Sequence, residues 1–405
     1  MTVGLLAGAC ERAGVDFHPT AGVGGGPVAS PTTEDALCAL VAAFASDPAL
    51  AGARLVPLGR GRQLGWCRPD AVAAPQDTLQ VTMRSLLGDA SSTGVVEYVP
   101  GDGTLTALAG ADMAELRAVV AEGGHRLTPA IAEGATLGGV LASGRSGLDR
   151  HSLGPTRHHV LGMRMIDGSG RSLRSGGRLV KNVTGFDLHR LHVGARGIFG
   201  PIVEASLRLM PAPEEEQYLT TEPLGSTAEA VGLALELRRA PRVREHALFV
   251  RDRVVHVLLS GRGAQVAADR LRVEALLGKV HEHDPGPGAM TFHRAGMRDV
   301  AARVATVPSR VEGAVARLEA ALGPLDQAVV EPGDAVIDLP AELLGTAAAW
   351  PEGLDASIEV RAPHGAALAS DEPTNSGPMG TWTRRLIEAY DPVGLFQTDG
   401  FPASA

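Results

Sequence analysis

Two stretches of this 405-residue chain combine glycine with cationic side chains. Residues 134–147, GATLGGVLASGRSG, hold five glycines in fourteen positions: Gly134, Gly138, Gly139, Gly144 and Gly147. They stand among small residues such as Ala135 and Ser143, with Arg145 as the one charge. Residues 57–66, PLGRGRQLGW, have the same character: Gly59 and Gly61 alternate with Arg60 and Arg62, and Gln63 follows. Glycine admits positive φ and leaves backbone N–H groups unscreened, which is what an anion needs. Thr136 is placed to cap a short helix, LGGVLA, whose positive end would face that anion. No Asp or Glu occurs from Gly134 to Leu148, where a carboxylate would repel a phosphate. A ligand bearing a diphosphate accounts for both loops together, whereas tight chain packing accounts for either glycine pair alone. Neither loop carries G-x-x-x-x-G-K-[ST], and residues 59–65 lack the G-x-G-x-x-G spacing within a strand–helix–strand unit, which argues against a P-loop or a Rossmann fold.

Other polar groups are less specific. His281, His283 and Asp284 in HEHDPGPG could reach one metal if extended, but His-x-His on a loop is more often solvated, and no metal is assigned. His189 and His192 lie one helical turn apart in HRLH, where packing or surface capping outweighs ligation. Lys181 and Asn182 either face the ligand or tie down the helix that follows. Cys10, Cys38 and Cys67 are an odd number without metal spacing, the pattern of reduced thiols.

The elements that must hold the two loops follow from periodicity. Residues 34–46 predict an apolar helix, and ARLVPL a strand that runs into the first loop. Residues 93–110 alternate around Pro-Gly-Asp-Gly and predict paired strands. DMAELRAVVAEGG predicts a helix capped by Asp112 and stopped by Gly123 and Gly124. Residues 159–177 predict a hairpin, TGFDLHRLHVGARG a short helix ended by Gly194, and 199–213 a strand ending in prolines. The acidic PAPEEEQ segment marks a boundary, after which a hairpin (HALFVRDRVVHVLLSG) and a helix (AADRLRVEALLG) are expected. Residues 1–30, ending in AGVGGGPVASP, read as a flexible arm.

At 405 residues the chain exceeds the roughly 250–300 at which single cores stop growing, so two domains or one elaborated domain are expected. A formal charge of -9 and 3% aromatic residues give no basis for nucleic-acid binding. No run reaches the ~18 apolar residues of a membrane span. The expected location is therefore cytoplasmic, with membrane contact only through a partner.

The segment GATLGGVLASGRSG and the later GGRLVKNVTGFDLHRLHVGARGIFGPIVEASLRLMPAP together resemble the PCMH-type (vanillyl-alcohol oxidase) flavoprotein family. Within it, the likeness is to FAD-binding subunits of glycolate oxidase. The resemblance is strong over about 130–213, weaker over 31–110, and general beyond, apart from AYDPVGLF at 389–396.

It implies an α+β fold: a two-lobed PCMH-type FAD-binding domain over 31–213, a smaller α+β cap domain over 214–375, and a C-terminal helix over 376–405 that returns to the FAD domain. Gly59, Arg60, Gly61, Arg62 and Gln63 fall at the family's pyrophosphate loop, where the arginines are departures. Bulk at Arg60 either crowds the backbone's approach or its guanidinium pairs with the phosphate. Ala135, Thr136, Gly138, Gly139, Ser143, Gly144, Arg145 and Gly147 match the second FAD loop, and Ile202 and Val203 the strand that meets the adenine. Neither loop has the His or Cys used for covalent attachment, so noncovalent FAD is expected. The family's HGDGNxH base segment is reduced to His364 and Gly365, which leaves the catalytic base unknown. That favours a subunit role beside a larger flavoprotein and an iron–sulfur subunit, in oxidation of a small 2-hydroxy acid. A self-sufficient oxidase and a flavin-free scaffold are the alternatives.

Overall fold

The computed structural model describes residues 3–61, 78–88, 93–128, 134–178, 186–240, 243–283, 300–344, 354, 356–360 and 385–396. Helix α1 (Val3–Arg12) is followed by β1 (Asp16–His18) and β2 (Val28–Ser30). Helix α2 (Glu34–Ser46) then leads to β3 (Arg54–Leu58) and β4 (Thr78–Thr82), and the four strands form one sheet in the order β1-β2-β4-β3. Strands β2 and β3 both run parallel to β4. Helix α2 starts where Thr33 Oγ1 accepts from the Ala36 N–H at 3.1 Å, with Glu34 and Asp35 in its positive first turn. Its Leu37, Leu40, Val41 and Phe44 share one face, which packs on Leu55 and Leu79 of the sheet.

The described part of the expected flexible arm 1–30, residues 3–30, is not loose. Leu6, Ala9 and Cys10 bury one face of α1 in the same core. The turn at 22–26 is closed by a bond from Gly22 N to Gly26 O and clamped by Gln80. The buried Gln80 side chain accepts from Val23 N and donates to Val23 O, each at 2.8 Å. Composition suggested mobility, but one amide side chain from a neighbouring strand satisfies the turn.

A second, antiparallel sheet is ordered β5-β6-β10-β8-β9. Its members are β5 (Val95–Val99), β6 (Thr104–Leu108), β8 (Val160–Ile166), β9 (Ser172–Gly176) and β10 (Ile202–Arg208); the short β7 (His125–Arg126) pairs with β11 (Met210–Pro211). Helices α3 (Met113–Glu122) and α4 (Leu137–Ser143) cover one face. Both begin as their caps predict: Asp112 Oδ1 accepts from Ala114 N and Thr136 Oγ1 from Gly139 N. Short helix α5 (Arg150–Leu153) lies against the sheet that follows, whereas α6 (His189–His192) flanks this one with both of its histidines buried.

After β11 the chain builds an eight-stranded antiparallel sheet, ordered β15-β12-β14-β13-β17-β18-β16-β19. Its strands are β12 (Glu215–Thr221), β13 (Glu245–Arg251), β14 (Val254–Gly261), β15 (Val280–His283), β16 (Val300–Ala305), β17 (Val329–Glu331), β18 (Val336–Pro340) and β19 (Ser357–Val360). The β13–β14 hairpin turns on Asp252 and Arg253, both at positive φ, the backbone that matches strand twist. Helices α7 (Thr227–Arg239), α8 (Gly263–Leu277) and α9 (Val311–Leu322) pack on one face through Val231, Leu235, Val273 and Val315.

The helical segment 385–390 and the turn after it return to the first two sheets. Leu395 and Phe396 are buried with Leu55 and Val203, and Ile387 with Ile198 and Phe199. Among the described residues no helix is long and apolar enough to cross a membrane.

Candidate functional site

Where the first two sheets meet, a cleft enclosing about 730 Å³, open to solvent, runs between the end of β3 and the start of α4. Gly59, Arg60 and Gly61 form one wall, and Ala135, Thr136, Gly138 and Gly139 another. The third wall is Arg196, Gly197, Gly200, Pro201 and Ile202, and Met83 and Ala109 lie between. Among the described residues its charged lining side chains, Arg60 and Arg196, are both cationic.

The glycines do two different jobs. A Cβ at Gly59 would overlap Thr136 Oγ1, and one at Gly138 would stand 2.8 Å from Ala109 Cβ, so these two let the walls touch each other. Gly61 has φ +71°, the left-handed conformation that turns β3 away from its sheet.

Backbone donors are distributed unevenly. Among the described residues, the N–H groups of Gly59, Arg60 and Gly61 have no acceptor. The first amides of α4 are already used: Leu137 N donates to Ala111 O at 2.9 Å, Gly138 N to Ala109 O at 2.8 Å, and Gly139 N to the Thr136 cap. The start of α4 therefore does not offer the bare amides expected of it.

Several residues of the second loop also stand away from the cleft. Arg145 is buried, and its charge acts on Glu331 of β17; Thr156 Oγ1 donates to its carbonyl at 2.7 Å. Ser143 Oγ donates back to Val140 O, and Gly144 is the left-handed C-cap of α4. Gly147 accepts at its carbonyl from Arg150 N, and the Val203 carbonyl accepts from Ala109 N at 2.8 Å. None of these five lines the cleft. Arg62 and Gln63 lie outside the described residues, as do Lys181, Asn182, Cys67, Asp284 and His364.

Arg60 neither blocks the cleft nor hangs free in it. Its Nη2 pairs with Asp112 Oδ2 at 3.1 Å, and the same carboxylate caps α3. Sequence reading passed over Arg196, Gly197 and Gly200. The available signal was HVGARGIFG, in which Gly194, Gly197 and Gly200 all take positive φ and Arg196 does too, at 56°.

Beyond the cleft, the stretch that follows α4 is fastened to the eight-stranded sheet. Leu148 packs with Tyr218, Phe249 and Val329, Arg150 pairs with Asp334 at 3.4 Å, and Ser152 Oγ donates to His246 O at 2.8 Å. Burial, with Arg126 and His151 nearby, holds the His246 pKa down at about 3, so its ring is neutral. On the same sheet, Tyr218 Oη and His256 Nδ1 share a 2.6 Å hydrogen bond. His281 pairs with Glu222 and His283 with Thr220 Oγ1; among the described residues no three His, Cys, Asp or Glu could share a metal ion.

Residues 27–176 match the FAD binding domain family, and FAD is the cofactor of a domain of this PCMH type. The cleft lies largely within that stretch and, among the described residues, fits the diphosphate of such a cofactor: unpartnered amides at 59–61, two cations, no acid in its lining. The chain is similar to the glycolate oxidase subunit GlcE of Escherichia coli (strain K12), 39% identical over 132 residues, which is 32% of this chain and 38% of that protein. It is also similar to the glycolate oxidase subunit GlcD of Bacillus subtilis (strain 168), 34% identical over 112 residues (27% and 24%). A D-2-hydroxyglutarate dehydrogenase of Xanthomonas citri pv. viticola is 31% identical over 169 residues (41% and 35%). The matching stretch thus spans less than two fifths of each relative's length. The fold is that of xylooligosaccharide oxidase from Myceliophthora thermophila C1, with a TM-score of 0.69 at 14% identity, covering 99% of this chain and 100% of that one. Chitooligosaccharide oxidase superposes with a TM-score of 0.68, also at 14% identity, covering 98% and 100%.

Proposed function

We propose that this chain is an FAD-dependent oxidoreductase acting as the FAD-binding subunit of a glycolate oxidase complex that oxidises small 2-hydroxy acids. The carrying observation is a cleft whose described lining holds no acid, set largely inside the stretch that matches the FAD binding domain, in a chain similar to a subunit named for glycolate oxidase. When bound, FAD supplies a two-electron acceptor. The protein's share is to place it: Gly59–Gly61 amides, Arg60 and Arg196 at the diphosphate, with Thr136 and Ile202 closing the walls. The cofactor is held without a covalent bond. Residues 31–213 make the FAD domain, 214–375 the cap, and 376–405 the returning segment. The partners are a larger flavoprotein and an iron–sulfur subunit, through which any membrane contact is made.

The test is purification from the native host. The expected result is a yellow chain that co-purifies with a second flavoprotein and an iron–sulfur protein and releases its flavin on acid denaturation. Turnover of a 2-hydroxy acid by the chain alone, with a dye as acceptor, overturns the subunit role in favour of a self-sufficient oxidase. A chain that stays colourless after incubation with FAD overturns the flavoprotein reading.

A further inference from the structure

The cleft has a charge arrangement that its glycine content does not announce. Because Leu137 N and Gly138 N are bonded to Ala111 O and Ala109 O, the start of α4 cannot turn those donors on a phosphate without breaking its attachment to the second sheet. The cation within the second loop, Arg145, is buried toward β17 instead. Among the described residues, positive charge in the cleft lining comes from two other places, Arg60 on the first wall and Arg196 on the third.

Each is placed by close contacts of its neighbours. Arg196 takes φ 56°, between Gly194 and Gly197 at +86° and +80°, and its N–H donates to Ala142 O at 2.8 Å. A Cβ on Gly144 would stand 2.7 Å from Gly194 Cα, so the turn that carries Arg196 is pressed against the end of α4. Arg60 follows Gly59, which is pressed on Thr136, and its guanidinium is oriented by Asp112 at 3.1 Å.

We infer that Arg60 and Arg196 form a two-cation clamp that takes the diphosphate of the dinucleotide between them, so that ion pairing to this pair, more than the start of α4, sets cofactor affinity. The inference rests on the FAD-binding reading above. Guanidinium groups present paired N–H donors to phosphate oxygens, and such charge-assisted bonds are about twice as strong as neutral ones. Asp112 offsets part of the Arg60 charge, one of its oxygens pairing with the guanidinium and the other accepting from Ala114 N, and leaves the remaining guanidinium N–H donors to the ligand. Partly exposed ion pairs weaken as salt screens them, so the clamp gives the cofactor a salt-dependent affinity.

The experiment measures binding, not turnover. Apo protein is titrated with FAD, with ADP and with riboflavin, at low and high potassium chloride, by flavin fluorescence and calorimetry. Arg60→Ala and Arg196→Ala are each expected to weaken FAD and ADP by about tenfold or more. Wild-type affinity for FAD and ADP should fall with salt, and that dependence should flatten in the double variant. Arg60→Lys and Arg196→Lys should recover part of the loss, and melting of each apo variant shows that the fold survives. Riboflavin, with no phosphate, should be insensitive to all four changes. Alanine variants that bind FAD within twofold of wild type, with an unchanged salt dependence, overturn the clamp while leaving FAD binding intact. Recovery of wild-type affinity in Arg60→Ala/Asp112→Asn overturns the role of Arg60, because the loss then came from the exposed carboxylate. A wild-type chain that binds neither FAD nor ADP overturns the functional reading itself.

Discussion

The backbone N–H of Leu55 donates to the carbonyl oxygen of Leu395 across 2.8 Å, tying the strand that leads into the Gly59 turn to the far end of the chain. Asp391 makes that tie possible: its Oδ1 accepts from Leu395 N and its Oδ2 from Phe396 N, each at 2.8 Å, in a buried turn. Removing the carboxylate leaves two buried amides without acceptors, at about 1–3 kcal/mol each. Asp391→Ala is therefore expected to lower the urea midpoint markedly and to weaken FAD, because β3 loses its outer support. A midpoint equal to wild type would show that the C-terminal turn does not brace the cleft.

Gly59→Ala asks whether the cleft walls must touch. The new Cβ would overlap Thr136 Oγ1, so β3 and the start of α4 have to separate, an overpacking strain of about 1–3 kcal/mol. FAD affinity should drop at least about tenfold, which corresponds to about 1.4 kcal/mol. Gly101→Ala is the control, since a Cβ there meets nothing within 4 Å. Equal flavin content in the two purified variants would count against this geometry.

Local chemistry was legible in the sequence: Asp112 and Thr136 cap the helices their spacing predicts. The hairpins of the second and third sheets follow from alternation, whereas the α+β class was what the family resemblance implied. What could not be read was anything decided by a distant partner. Residues 1–30 look mobile until Gln80, on β4, bonds both backbone groups of Val23. The amides of Leu137 and Gly138 look free until the end of β6 supplies Ala109 and Ala111 as acceptors. Arg145 looks like a phosphate ligand, yet its charge acts on Glu331, almost half the chain away. Glycine density marks where chains approach closely; it does not say whether the neighbour is a ligand or another loop.

Buried titratable groups give stability a pH dependence of two signs. Burial, assisted by neighbouring cations at His151 and His246 and by His189 at His192, holds four histidines below their ordinary 6.5. His151, His192 and His256 lie at about 4 and His246 at about 3. Because the unfolded chain takes up these protons first, their contribution is whole above about pH 6.5 and is lost as pH falls toward 4. Burial, then Asp338, raises the Glu331 carboxyl from 4.5 to about 8. Its contribution is whole below about 4.5 and is lost as pH rises toward 8. His192 sits against Phe199 and Tyr390 with Nε2 unbonded among the described residues, so His192→Phe should make the acid limb of a melting-temperature profile shallower. Glu331→Gln should raise the melting temperature at pH 8 relative to wild type. Parallel profiles for wild type and both variants would refute the assignment.

The Arg303–Asp338 pair tests how the third sheet tolerates charge in its interior. Arg303 Nε and Nη2 donate to the two oxygens of Asp338, each at 2.7 Å, and Asp338 is 1% exposed. Taking away one partner strands a buried charge, which costs about 3–5 kcal/mol, whereas replacing both with apolar groups is often neutral or stabilising. Arg303→Met should therefore destabilise strongly, and should push the neighbouring Glu331 carboxyl higher still, since Arg303 is among the cations holding it down. Arg303→Met/Asp338→Leu should recover most of the lost stability. A urea double-mutant cycle reads this directly: an interaction energy near zero, with additive losses, would mean that the two side chains are stabilised independently and that the pair is not a unit.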